Sequence, residues 1–154
     1  MKTTNTDIAP QQDYLQAFRG HFIGIMQWDQ LDAFWQALEH KADAGWYIYT
    51  IGEQPPSLAC NAISVVEFVS EVDALIRMEH DEDYCGIVYT DNKSDPELVK
   101  IYNPGNLGVV CGFSDHPPLP GWVMSIIPPV ELNANSFLPA NRQRWWQRIW
   151  KKAS

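Results

Sequence analysis

The chain has 154 residues, 45% of them hydrophobic and 19% charged, with a formal net charge of -8. This composition excludes a mostly disordered chain and suffices for one domain that buries a core without disulfides or a metal. The acidic balance argues against nucleic-acid binding, which needs Lys and Arg in excess, and no apolar run nears the roughly 18 residues of a membrane span.

Residues 1–12 are polar, read as a flexible segment, and predict no signal peptide. Residues 13–19 predict a short helix with Tyr14, Leu15 and Phe18 inward, closed by Gly20. Residues 21–26 are too few for periodicity to separate strand from helix. Asp29 is the expected N-cap of a helix to about Lys41, with Leu31, Phe34, Trp35 and Leu38 on one face. Residues 46–51 are aromatic and β-branched and predict a strand. A loop around Pro55 and Pro56 follows.

Ser64 and Glu67 form an S-x-x-E capping box. Val65, Phe68, Val69, Val72, Leu75 and Ile76 then keep helical spacing to about Glu79. Residues 84–90 and 97–102 predict a hairpin around the turn residues 91–96, and residues 107–113 a third adjacent strand. Pro117, Pro118 and Pro120 enforce an extended loop, and residues 122–127 suggest an edge strand. Asn141 can cap a last helix. The expected fold class is α+β: a two-layer, mainly antiparallel sheet with a three-strand meander over about residues 84–113, packed by two or three helices, plus a C-terminal helix. Residues 13–140 are expected to form the domain. Helices on one face would leave the other partly open.

Three features bear on chemistry. His80-x4-Cys85 and Cys111-x4-His116 mirror each other, and four such ligands would suit zinc or iron. Cysteine in a strand is more often a core residue, so no metal or other cofactor is expected. The alternative is a small metal- or thiol-dependent enzyme using His80, Cys85, Cys111 and His116, with Cys111 and His116 as the catalytic candidates. Ser114, Asp115 and His116 are neighbours in one loop and cannot align as a triad. Glu79, Asp81, Glu82 and Asp83 crowd the predicted C-terminal end of a helix, against its dipole. That reads as a solvated acidic loop or as a site for a cation or basic partner.

The third feature is residues 141–154. They carry Arg142, Arg144, Arg148, Lys151 and Lys152 and no acid, whereas residues 1–140 hold six bases and nineteen acids. On a helix, Trp146, Ile149 and Trp150 share a face with Trp145 beside it. This basic, Trp-rich helix is expected to dock on its own domain through that face, and the alternatives are a partner or, weakly, an anionic membrane surface. Trp122, at the end of the Pro-rich loop, either packs that loop on the core or joins the interaction surface. The sequence thus favours a soluble, cytoplasmic, non-enzymatic accessory or assembly factor. Its expected contacts are Trp145, Trp146, Trp150, Arg142, Arg144, Arg148 and Trp122, and its partner would be a protein still to be identified.

Overall fold

The computed structural model describes residues 13–104 and 119–132. They form an α+β fold around a five-stranded antiparallel sheet. Residues 13–18 are helical (α1). Strand β1 (Ile23–Ile25), helix α2 (Trp28–Glu39), strand β2 (Tyr47–Thr50) and helix α3 (Ala62–Glu79) follow, then β3 (Val88–Thr90), β4 (Leu98–Ile101) and β5 (Trp122–Ser125). The strand order is β1-β3-β4-β5-β2.

Both long helices sit where the apolar spacing puts them, but each starts earlier than its expected cap. Helix α2 is capped by Gln27, whose backbone N–H donates to Gln30 Oε1 at 3.2 Å. Asp29 is not the cap. It lies in the first turn, where its charge suits the helix dipole. Helix α3 is capped by Asn61, whose Oδ1 accepts from the Ser64 backbone N–H at 2.8 Å. Ser64 is already inside the helix, so the S-x-x-E motif is one turn late. Leu31, Phe34, Trp35 and Leu38 of α2 and Val65, Phe68, Val69, Val72, Leu75 and Ile76 of α3 are all buried.

The hairpin β3–β4 forms with Thr90 opposite Val99. Its turn is closed by side chains, as Asp91 Oδ1 accepts from the backbone N–H groups of Glu97 and Leu98 at 3.0 and 3.1 Å. The expected third meander strand, residues 107–113, lies outside the described residues, and the second edge of β4 is taken by β5. That strand is not at a sheet edge as expected. It lies between β4 and β2, and all four of its residues are buried. A short apolar strand without alternation marks burial on both faces.

Both faces are indeed covered. Helices α2 and α3 pack with Ile48, Val99, Ile101, Trp122 and Met124 into the main core. The alternate residues Tyr49, Leu98 and Val123 point the other way and join Tyr14, Ile51 and Leu132 in a second cluster. Leu15, Ala17 and Phe18 of α1 pack against it, as do Phe22 and Val130. The face expected to stay partly open therefore carries α1.

Lys100 lies between these layers. Its Nζ is 4.0 Å from the Phe18 ring centroid and 3.9 Å from that of Phe22. No acid pairs with it among the described residues. The rings supply the attraction that a carboxylate would otherwise provide, and burial lowers the ammonium from 10.5 to about 8.

Two predictions follow from these placements. Asn61→Ala should destabilise by about 0.5–2 kcal/mol and Ser64→Ala by less, read from denaturant midpoints at unchanged slope. The opposite ranking would restore the later helix start. Lys100 releases its proton in the native state at lower pH than in the unfolded state. Its unfavourable contribution to stability is therefore present below about pH 8 and is relieved as pH rises toward 10.5. The stability of the natural chain minus that of Lys100→Met should rise across this window. A flat difference would mean an ordinary lysine. The subtraction cancels Cys60, whose thiol is pushed up to about 11 and acts in the opposite sense.

Candidate interaction site

The ends of β1 and α3 and the starts of α2 and β3 meet at one end of the molecule. Two backbone contacts bring them together. The Cys85 N–H donates to the Met26 carbonyl at 2.7 Å, and the Gly86 N–H to the Ile25 carbonyl at 2.9 Å. Side chains laid over these contacts form a continuous strip.

It begins with Tyr102 and Tyr89, whose rings meet edge to face at 5.7 Å. Tyr89 lies against Gly24, where an added Cβ would stand 2.9 Å from the ring and 3.5 Å from Met26 Sδ. Met26 and Tyr84 in turn both lie over Gly86, with an added Cβ 3.8 Å from the Met26 methyl and 3.2 Å from the Tyr84 ring. Gly86 also has a φ of +70°, which a side chain tolerates poorly. Beyond Tyr84 comes His80, 6.0 Å away between ring centroids, and then Trp28 at 6.0 Å from His80. Arg77 closes the strip with its guanidinium 4.9 Å from the Trp28 ring centroid.

The strip is half in water. Met26 is 47% exposed and Tyr84 48%, and nearby Ile23 is 41% exposed on the outer strand β1. His80, by contrast, is only 6% exposed, and its Nε2 has no hydrogen-bond partner among the described residues.

Charge frames this surface. Arg77 is already committed, donating through Nε to Asp73 at 2.9 Å and through Nη2 to Asp32 at 2.6 Å. Asp73 also accepts from Trp35 Nε1 at 3.0 Å, so one carboxylate ties α2 to α3. Asp81, Glu82 and Asp83 are exposed, and none is ion-paired among the described residues. The backbone of their turn is nonetheless fixed. Trp28 Nε1 donates to the Glu82 carbonyl at 3.0 Å, and the Glu82 N–H to the His80 carbonyl at 3.0 Å.

The candidate residues named from sequence fall unevenly. His80 ends α3 as its C-cap and belongs to the strip. Cys85 is wholly buried in the main core, where burial pushes its thiol above the ordinary range. Trp122 is also fully buried in that core and offers no surface to a partner. Cys111, His116, Arg142, Arg144, Arg148, Trp145, Trp146 and Trp150 lie outside the described residues. Among the described residues no three His, Cys, Asp or Glu side chains are grouped to hold a metal ion.

Sequence reasoning missed Met26, Trp28, Arg77, Tyr84 and Tyr89 as one surface. Met26 follows β1, whose middle residue is Gly24, and Tyr84 stands two residues before Gly86; a large side chain two residues from a glycine is the signal that could have found them. No family model matches the chain, and neither a curated protein nor a solved structure is detectably similar to it.

The thiol chemistry can be checked directly. Cys60 and Cys85 are free and buried. Both should label slowly in native protein and fast in denaturant, resolved site by site by mass spectrometry. Native labelling of Cys85 at the denatured rate would return it to the list of reactive thiols.

Proposed function

We propose that the protein is a non-enzymatic accessory or assembly factor of the cytoplasm that works by protein–protein contact, with the strip from Tyr89 to Trp28 as its docking surface. The observation that carries this reading is the exposure of Met26 and Tyr84, side by side, next to three exposed carboxylates that no described residue pairs. Apolar side chains grouped on a surface and rimmed by polar groups favour a macromolecular contact. Methionine and tyrosine suit such contacts, one by adapting its shape and the other by combining an apolar ring with a polar tip.

The carboxylates narrow the partner. A segment carrying Lys or Arg beside apolar residues would bury the rings and neutralise Asp81, Glu82 and Asp83 together. Nucleic acid fits poorly, because its phosphates would meet these acids. Free thiols at Cys60 and Cys85 accord with a reducing compartment, and among the described residues no helix is long and apolar enough to cross a membrane.

Photo-crosslinking residues placed at Met26 and Tyr84 should trap the same partner segment in cells, whereas one at exposed Glu39 should not. The trapped segment should be net basic. Asp81→Lys with Glu82→Lys and Asp83→Lys should abolish the adducts while leaving the denaturation midpoint close to that of the natural chain. Equal trapping at all three positions, or an acidic segment, would refute the reading.

A further inference from the structure

We infer that the segment of residues 141–154 docks on this same strip, setting Trp146, Ile149 and Trp150 over Met26 and Tyr84 and its bases over Asp81, Glu82 and Asp83. The inference rests on the strip being a docking surface, and it adds an occupant that the chain itself carries.

Charge complementarity is the first argument. The segment holds five bases and no acid. At the strip, Arg77 is spent on Asp32 and Asp73, so Asp81, Glu82 and Asp83 lack a described counter-ion. Those acids follow the C-terminal end of α3, whose dipole adds to the negative potential there. Bases brought to this end oppose both sources of negative charge.

Apolar matching is the second. Each Trp carries on the order of 150–250 Å² to be buried, and the strip offers a methionine and a tyrosine ring on glycine floors with no side chain between them. Trp also pairs well with a thioether sulfur. Next to these rings His80 keeps a buried Nε2 with no hydrogen-bond partner among the described residues.

Reach is the third. The described chain ends at Leu132, whose N–H donates to the Tyr49 hydroxyl at 3.2 Å on β2, at the far edge of the sheet from β1. Crossing from β2 to β1 takes four strand spacings, about 19 Å. The connection from residue 132 to residue 141 extends to about 30 Å, which is enough.

Docking in cis makes the segment a built-in competitor for the basic partner. A partner must displace it, and removing its Trp side chains opens the surface.

Zero-length carbodiimide cross-linking of the full chain tests this, using a mixture of light and heavy isotope-labelled protein. Lys151 or Lys152 should join Asp81, Glu82 or Asp83 within one isotopic chain. In the same samples Met26 should be oxidised several-fold more slowly by peroxide than in the Trp146→Ala, Trp150→Ala double variant. Mixed-isotope cross-links would assign the site to a second copy and overturn docking in cis. So would cross-links confined to other carboxylates such as Asp95 or Glu97, or an unchanged oxidation rate at Met26. Loss of these signals with photo-adducts at Met26 retained would sink this inference alone, and loss of both would sink the partner reading with it.

Discussion

Strands β4 and β5 lie between two apolar layers, and most of the structure follows from that constraint. Their alternate residues serve opposite cores, Val99, Ile101, Trp122 and Met124 facing α2 and α3 while Leu98 and Val123 face α1. A five-stranded sheet covered on both sides has little room for polar side chains at its centre. Lys100 is the one charged side chain on these two strands, and its stem explains how it is accommodated. Four methylenes carry the ammonium past the sheet to the rings of Phe18 and Phe22, where charge meets π-electrons instead of a carboxylate. Tyr14 illustrates the same limit. Its hydroxyl is buried without a hydrogen-bond partner among the described residues, and desolvation raises its pKa far above the ordinary value.

The two sheet edges are treated differently. Along β2, the segment carrying Cys60 runs beside the strand, with the Cys60 N–H donating to the Trp46 carbonyl at 2.7 Å. Strand β1 has no described neighbour on its outer side, and apolar Ile23 and Met26 stand exposed at its ends. An open edge of that kind invites unwanted pairing. Three features restrain it: β1 is only three residues long, Gly24 weakens it as a template, and the exposed acids 81–83 belong to the turn that leads into Cys85 and Gly86, whose N–H groups hold Met26 and Ile25. Like charge repels a second copy of the same edge, while a basic segment is attracted. Under the proposed function, the acidic run that goes against the helix dipole would have a use at this place, since it would favour a basic partner over a second copy.

What could be read from the sequence was what depends on local periodicity. The buried faces of α2 and α3 were legible residue by residue, because helical spacing is fixed by backbone geometry. Caps were less so. Asn61 and Ser64 stand three apart and both favour an N-cap; Asn61 takes that place, directly after Cys60, whose N–H donates to the Trp46 carbonyl across the fold. The placement of β5 depended on long-range pairing with Tyr47 to Thr50, some seventy residues earlier in sequence, which no local pattern encodes. The candidate site fared worst. His80 and Cys85 look like a ligand pair in one dimension, but the turn between them sends Cys85 into the core and leaves His80 among the rings of Trp28 and Tyr84.

The same turn explains why a surface can be both apolar and stable here. Exposed rings ordinarily gain entropy by moving, and holding them still costs free energy. In this turn the cost falls on backbone that is already fixed. Trp28 Nε1 holds the Glu82 carbonyl, Cys85 and Gly86 donate to Met26 and Ile25, and Gly86 supplies the positive φ that lets Tyr84 fold back over the chain. If this end is the docking surface proposed above, its rings are already placed and less ordering would remain on binding. Gly86 is then the residue on which the shape of the surface turns. A side chain there would strain the backbone and push Tyr84 aside together, although it lies in no helix or strand and touches no charge.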